Sequence, residues 1–209
     1  MDFLTLQPTH LIAGILFVAA YLGGSISSAI LVCRLFGLPD PRTEGSHNPG
    51  ATNVLRLGGK PAAALTLAGD VLKGVIPVVV AVHWLELPLL IAALAGWFAF
   101  VGHLFPVFFQ FRGGKGVATA FGLLFALHWP TALVTGTVWL VLFTALRISS
   151  AASMAAFVVM PVVVALWQPA VLWPMILLSA VLIGRHHGNI RKLLSGEELG
   201  FRKRGNSPD

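Results

Sequence analysis

Three short polar segments interrupt an apolar chain, and each holds residues suited to gripping an anion. The first is Asp40–Pro41–Arg42–Thr43–Glu44–Gly45–Ser46–His47–Asn48–Pro49–Gly50–Ala51–Thr52–Asn53–Val54–Leu55–Arg56. Small residues let backbone amides approach an oxyanion, hydroxyls and amides donate hydrogen bonds, and arginine grips phosphate bidentately. The same composition also suits a capped turn, since Ser46, Asn48 and Asn53 are ordinary turn and N-cap residues.

The second segment is Gly102–His103–Leu104–Phe105–Pro106 followed by Phe111–Arg112–Gly113–Gly114–Lys115–Gly116–Val117–Ala118–Thr119. It is not a Walker A motif, because Gly116 follows Lys115 and Phe109 stands where the earlier glycine is required. A glycine-rich turn opening a helix still offers free amides and a positive dipole end to an anion, and Lys115 adds a point charge. A basic membrane anchor is the plainer reading, but an anchor needs no glycine.

The third segment is Arg185–His186–His187–Gly188–Asn189–Ile190–Arg191–Lys192–Leu193–Leu194–Ser195–Gly196–Glu197. His186 and Asn189 are three apart and share a face if the helix continues that far. A basic helix end resting on anionic head groups fits the same residues. Adjacent histidines on a helix diverge, and no acidic or cysteine partner is spaced nearby, so neither a metal nor any other cofactor is expected. Asp70 and Lys73, also three apart, suit an internal ion pair or a place beside the substrate. Gly24, Ser25, Ser27 and Ser28 suggest close helix packing.

The elements that must position these residues lie in a membrane. Of 209 residues, 56% are hydrophobic and 11% charged, against about 25% charged in a soluble domain. The mean hydropathy is +0.84. Seven helical segments are predicted, over 10–37, 61–83, 87–109, 115–128, 130–147, 149–167 and 169–186, several of them near the ~20 residues a crossing needs. The first is too long for a signal-peptide apolar region and no Lys or Arg precedes it, so it is expected to remain. No linker or repeat divides the chain, which reads as one domain over 1–209.

The net charge of +6 follows from topology rather than from nucleic acid. With seven spans, the groups around Arg34 to Lys60, Arg112 and Lys115, Arg147 and the tail from Arg185 to Arg204 all fall on one face. The opposite face holds Asp2 and Glu86. The positive-inside rule then puts the N-terminus outside and the C-terminus in the cytoplasm, which requires an odd number of spans, seven or, as the alternative, five. Cys33, the single cysteine, forms no intramolecular disulfide and is expected to be buried.

Read together, GSHNPGATNVLR, GHLFPVFFQFRGGKGVAT and HHGNIRKLLSGEE resemble the three motifs of the PlsY family, bacterial acyl-phosphate:glycerol-3-phosphate acyltransferases, in order, spacing and membrane setting along nearly the whole chain. The resemblance implies a seven-helix protein of the bacterial inner membrane, with its site open to the cytoplasm. It implies transfer of a fatty acyl group from acyl phosphate to the 1-hydroxyl of glycerol 3-phosphate, the first acylation of phospholipid synthesis. By motif, Ser46, Arg56, Lys115, His186 and Asn189 fall on positions that hold the phosphate substrates. Asn48, Thr52, Asn53, Gly113 and Gly114 would shape the pocket, and His103 would be structural. His47 stands where the family usually has glycine, and Pro49 where it usually has an aliphatic residue.

No histidine here is followed five residues later by aspartate, the general-base arrangement of many glycerolipid acyltransferases, and no Ser–His–Asp or Cys–His set is evident. Direct attack on an already activated anhydride is therefore expected, with the hydroxyl proton passing to a substrate phosphate or to His186. A transporter would want ionisable groups near the bilayer midplane, and a lipid-binding scaffold would have no use for the glycine motifs.

Overall fold

Long apolar runs broken by Gly, Ser and Pro dictate the helices of the computed structural model, which describes residues 8–198, 200 and 201. Nine α-helices follow one another among the described residues: α1 Pro8–Gly24, α2 Ser28–Leu35, α3 Ala51–Val79, α4 Leu89–Leu104, α5 Val117–Leu127, α6 Trp129–Leu146, α7 Ser149–Trp167, α8 Leu172–Arg185 and α9 His187–Leu194. Each of the seven expected segments contains a helix. Five stretches are long and apolar enough to cross a membrane: Thr9–Leu35, Ala51–Trp84, Leu89–Phe109, Trp129–Leu146 and Ser149–Trp167. A sixth arises if the pair Pro169–Arg185 and His187–Leu194, bent by 54°, is one span. At 11 residues, α5 is shorter than the ~20 of an upright crossing. Asp2 and the basic tail residues Arg202, Lys203 and Arg204 lie outside the described residues.

Several boundaries differ from expectation; α4, for one, ends at Leu104 rather than at 109. The first segment breaks at Ser25–Ser27, where the Ser25 hydroxyl and amide both donate to the Tyr21 carbonyl, at 2.8 and 2.9 Å. Residues expected in the first connection are helical from Ala51, so Thr52, Asn53 and Arg56 ride on the opening turns of α3. That opening piece ends at Gly59, which has φ 74°. Pro61 then begins the apolar part, where its missing N–H costs nothing. Farther along, Pro77 has no N–H to donate and a widened π turn, Val80–Trp84, follows it.

Glycines let the helices that carry the site cross at backbone distance. A Cβ at Gly24 would strike the Ala99 carbonyl, and one at Gly102 the Tyr21 carbonyl, which joins α1 to α4. Gly74 and Gly122 meet the Thr119 and Val71 carbonyls in the same way, which joins α3 to α5. In lipid, where apolar surface alone gives no preference for helix over tail, such close contact supplies the attraction. The main core is built from Phe100, Leu104, Leu123, Leu124, Phe157, Met160, Met175, Leu178 and Leu182. Cys33 is buried in a smaller cluster with Ala29, Val54 and Ala62. Leu11, Ile15, Val18, Leu72, Ile76, Leu133, Val158, Val162 and Ile176 are exposed, as lipid-facing residues must be.

Candidate active site

The three polar segments converge on one cavity of about 610 Å³. The first segment is a loop held from behind by Asn53. Its buried amide accepts the Ser46 N–H at 2.9 Å and donates to the Pro41 and Glu44 carbonyls at 3.0 Å each. Arg42 pairs with Asp40 at 2.7 Å and reaches the Phe109 carbonyl at 3.3 Å, tying this loop to the second. His47 has φ 58°, a left-handed conformation that costs a non-glycine residue about 1 kcal/mol. This is a physical reason for glycine to be usual there.

The second segment is pressed into the end of α4. A Cβ at Gly113 would strike the His103 carbonyl, and one at Gly114 the His103 ring. Gly116 has φ 81° and abuts the Phe100 ring. These glycines are therefore demanded by crowding as well as by any approach of an anion. Arg185, at the end of α8, donates to the Gly113 and Gly114 carbonyls at 3.3 and 3.2 Å and lies over the Phe105 ring at 5.2 Å. Lys115 is thereby carried into the cavity at the mouth of α5.

A hydrogen-bonded chain crosses the cavity. The Lys115 amine donates to Asn189 Oδ1 at 2.5 Å, Asn189 Nδ2 donates to Glu198 Oε1 at 2.5 Å, and the Ser150 hydroxyl donates to the same oxygen at 2.5 Å. Chemistry fixes the amide's orientation, since an ammonium only donates and a carboxylate only accepts. Burial pulls the Lys115 amine down to about 8; Glu198 opposes this, while Lys192, Arg56 and Arg185 add to it. Buried His186 hydrogen-bonds the Leu182 carbonyl through Nδ1 at 2.8 Å. A carbonyl cannot donate, so Nδ1 carries the hydrogen, and in the neutral ring Nε2 keeps the lone pair. Arg56 lies over the Phe201 ring at 5.1 Å.

Of the expected residues, Ser46, Asn48, Thr52, Arg56, Gly113, Lys115, His186 and Asn189 line the cavity. Asn53 and Gly114 stand behind the wall: Asn53 ties the first loop, and Gly114 packs on His103. Ser150, Arg185 and Glu198 also line the cavity; Arg185 opens the third segment and Glu198 ends its motif, but neither was given a role, and Ser150 lies in no motif. Asp70 and Lys73 form the anticipated ion pair, at 2.6 Å, and Asp70 and His103 both reach the cavity wall. A second wall is apolar, made by Leu67, Val117, Phe121 and Trp139. Trp139 is fixed there by its Nε1–H donating to Ser153 Oγ at 3.0 Å.

Comparison with known proteins agrees with this architecture. The family model for glycerol-3-phosphate acyltransferase matches residues 14–196. The glycerol-3-phosphate acyltransferase of Methylococcus capsulatus is 54% identical over 181 residues, spanning 86% of this chain and 91% of that protein. That of Pseudomonas paraeruginosa is 49% identical over 187 residues, spanning 90% and 98%. The crystal structure of PlsY (YgiH), an integral membrane glycerol 3-phosphate acyltransferase, in its glycerol 3-phosphate form matches with a TM-score of 0.86 at 39% identity, over 91% of this chain and 96% of that one. Its lysophosphatidic acid form matches with a TM-score of 0.84 at 38% identity.

Proposed function

Because this chain belongs to the glycerol-3-phosphate acyltransferase family, we propose that it transfers a fatty acyl group from acyl phosphate to the 1-hydroxyl of glycerol 3-phosphate, releasing lysophosphatidic acid and inorganic phosphate. One observation carries the reading. A single cavity joins a cationic corner of Arg56, Lys115 and Arg185 to an apolar wall of Leu67, Val117, Phe121 and Trp139. A molecule with a phosphate head and an acyl tail fits both parts at once.

In this reading Ser46, Arg56, Lys115 and Asn189 hold the two phosphates side by side and offset their repulsion. His186, with Nδ1–H committed to Leu182, accepts the hydrogen bond of the glycerol hydroxyl through Nε2 and orients its oxygen. That oxygen attacks the acyl carbon, the bond from acyl carbon to phosphate oxygen breaks, and the proton passes to a phosphate oxygen. Neither an acyl-enzyme nor a cofactor is needed. The apolar wall also separates this reading from a transporter, for which an apolar strip beside the phosphate corner has no use.

The donor is tested directly. Palmitoyl phosphate should support turnover by purified protein and palmitoyl-CoA should not; equal rates with the two donors would overturn the assignment.

We also propose seven crossings, with the short α5 completing the set, the N-terminus outside, and the cavity open to the cytoplasm of the bacterial inner membrane. The placement of Arg56, Arg112, Arg147 and Arg191 at connections or ends that fall on one side supports this. Reporter fusions after each of these four should read cytoplasmic, and a periplasmic signal after Arg112 would rule out seven crossings.

A further inference from the structure

Asp70 lies in α3, only 2% exposed, among helices that cross a membrane. A buried carboxylate there is costly unless other groups compensate it. Two groups do. Lys73 Nζ lies 2.6 Å from Asp70 Oδ1, and His103 Nδ1 lies 3.5 Å from the same oxygen. Lys73 alone would neutralise the charge, so the approach of His103 calls for its own explanation. The far side of the His103 ring supplies one. Nε2 occupies the space where a Cβ of Gly114 would stand, with the Pro49 carbonyl alongside. The His103 carbonyl also accepts the Gly114 N–H at 3.2 Å. On its other side the Gly113–Gly114 unit is held by Arg185, and the next residue is Lys115.

We propose that Asp70 and His103 are positioning residues for the proposed acyl transfer: the carboxylate fixes the imidazole, and the imidazole and Arg185 clamp the Gly113–Gly114 peptide that sets the position of Lys115. Asp70 thus acts on the reaction through His103, and its pairing with Lys73 offsets the cost of burying a carboxylate there. The proposal rests on the reaction given above, yet the clamp itself can be read without turnover.

Asp70→Asn alone would strand Lys73, so the informative variant is Asp70→Asn with Lys73→Met, which removes both charges of the pair. His103→Gln asks the same question with the pair intact. The readouts are turnover of palmitoyl phosphate with glycerol 3-phosphate, the melting temperature in detergent, and hydrogen exchange of the peptide covering 112–118. Displacing a catalytic group by about 1 Å costs on the order of 10²-fold in rate. Both variants should lose about that much in kcat, melt like wild type, and lose amide protection over 112–118. Adding Gly114→Ala to His103→Gln should cost little beyond Gly114→Ala alone, since the two changes disturb one contact. Near-wild-type turnover by the Asp70→Asn, Lys73→Met protein would make the cluster an internal ion pair only. Unchanged protection of 112–118 in both variants overturns the clamp whatever the rates. A wild-type protein inert toward palmitoyl phosphate would refute the reaction instead, and the exchange data would still decide the clamp.

Discussion

Lys115→Met should cut turnover of acyl phosphate by about 10²–10³-fold, the usual loss when a donor aimed at developing negative charge is removed, while the protein remains folded. Lys115 leaves the tight Gly113–Gly116 turn as its single side-chain charge, and its amine is presented to the cavity by Asn189. The departing phosphate gains charge as the acyl bond breaks, so the amine matters more in the transition state than in the bound state. Lys115→Arg should rescue poorly, because a planar fork on a longer stem does not fit beside Asn189 in so crowded a turn. Arg112→Ala should be milder than either, since Arg112 is exposed and lies outside the cavity wall.

The same amine predicts a pH dependence. Burial holds it at about 8, so it is charged below that value and neutral above. In the wild-type enzyme kcat/KM, which reports the free enzyme, should fall as pH rises through about 8. A bound dianion favours the charged amine, so the corresponding fall in kcat should lie at higher pH. The residual activity of Lys115→Arg should show no such alkaline fall. A wild-type profile that stays flat well above this range would mean that the Lys115 charge is not required.

Glu198→Ala should be nearly as damaging, although the carboxylate makes no bond to Lys115. It anchors Asn189 and Ser150 through one oxygen, and Asn189 in turn anchors Lys115. Without it the Asn189 amide is free to rotate and the amine loses its fixed position, at a cost on the order of 10²-fold in kcat/KM. Glu198→Gln separates anchoring from charge. Glutamine can still accept from Ser150 and Asn189, but the anion that raises the Lys115 pKa is gone. The rate at pH 6 should therefore be largely kept, while the alkaline fall in kcat/KM moves to lower pH. An unmoved alkaline limb in Glu198→Gln would show that Glu198 does not set the charge state of Lys115.

The site was legible in the sequence to the extent that its residues are unusual for their setting. Glycines around Lys115 stand out beside a bilayer, where a plain anchor would be Lys or Arg in any company. Eight of the ten residues that the family resemblance implies line the cavity. Glu198 closes the third motif, HHGNIRKLLSGEE, yet it was given no role, since the adjacent acids Glu197 and Glu198 in a basic tail read as solvated charges. Its role comes from Ser150, 48 residues away in sequence. Arg185 was masked in the same way by the positive-inside pattern that accounts for its neighbours.

For the fold, the apolar runs located every long helix, and the errors fell where polar residues adopt helical structure. Thr52, Asn53 and Arg56 have no apolar periodicity, yet they form the opening turns of α3 because Val54 is packed against Ala29, Cys33 and Ala62. The break that follows was written in Gly59–Lys60–Pro61: glycine takes the left-handed conformation and proline restarts the helix. That signal was available in the sequence and was read only as the start of a new segment.

In the proposed reaction one cavity brings an acyl phosphate and glycerol 3-phosphate together for direct transfer. Purified protein should be given radiolabelled glycerol 3-phosphate and palmitoyl phosphate, with released phosphate and labelled lipid followed together. Lysophosphatidic acid and inorganic phosphate should appear in equal amounts, with neither formed when glycerol 3-phosphate is withheld. Release of phosphate without labelled lysophosphatidic acid would contradict the reaction proposed for this site.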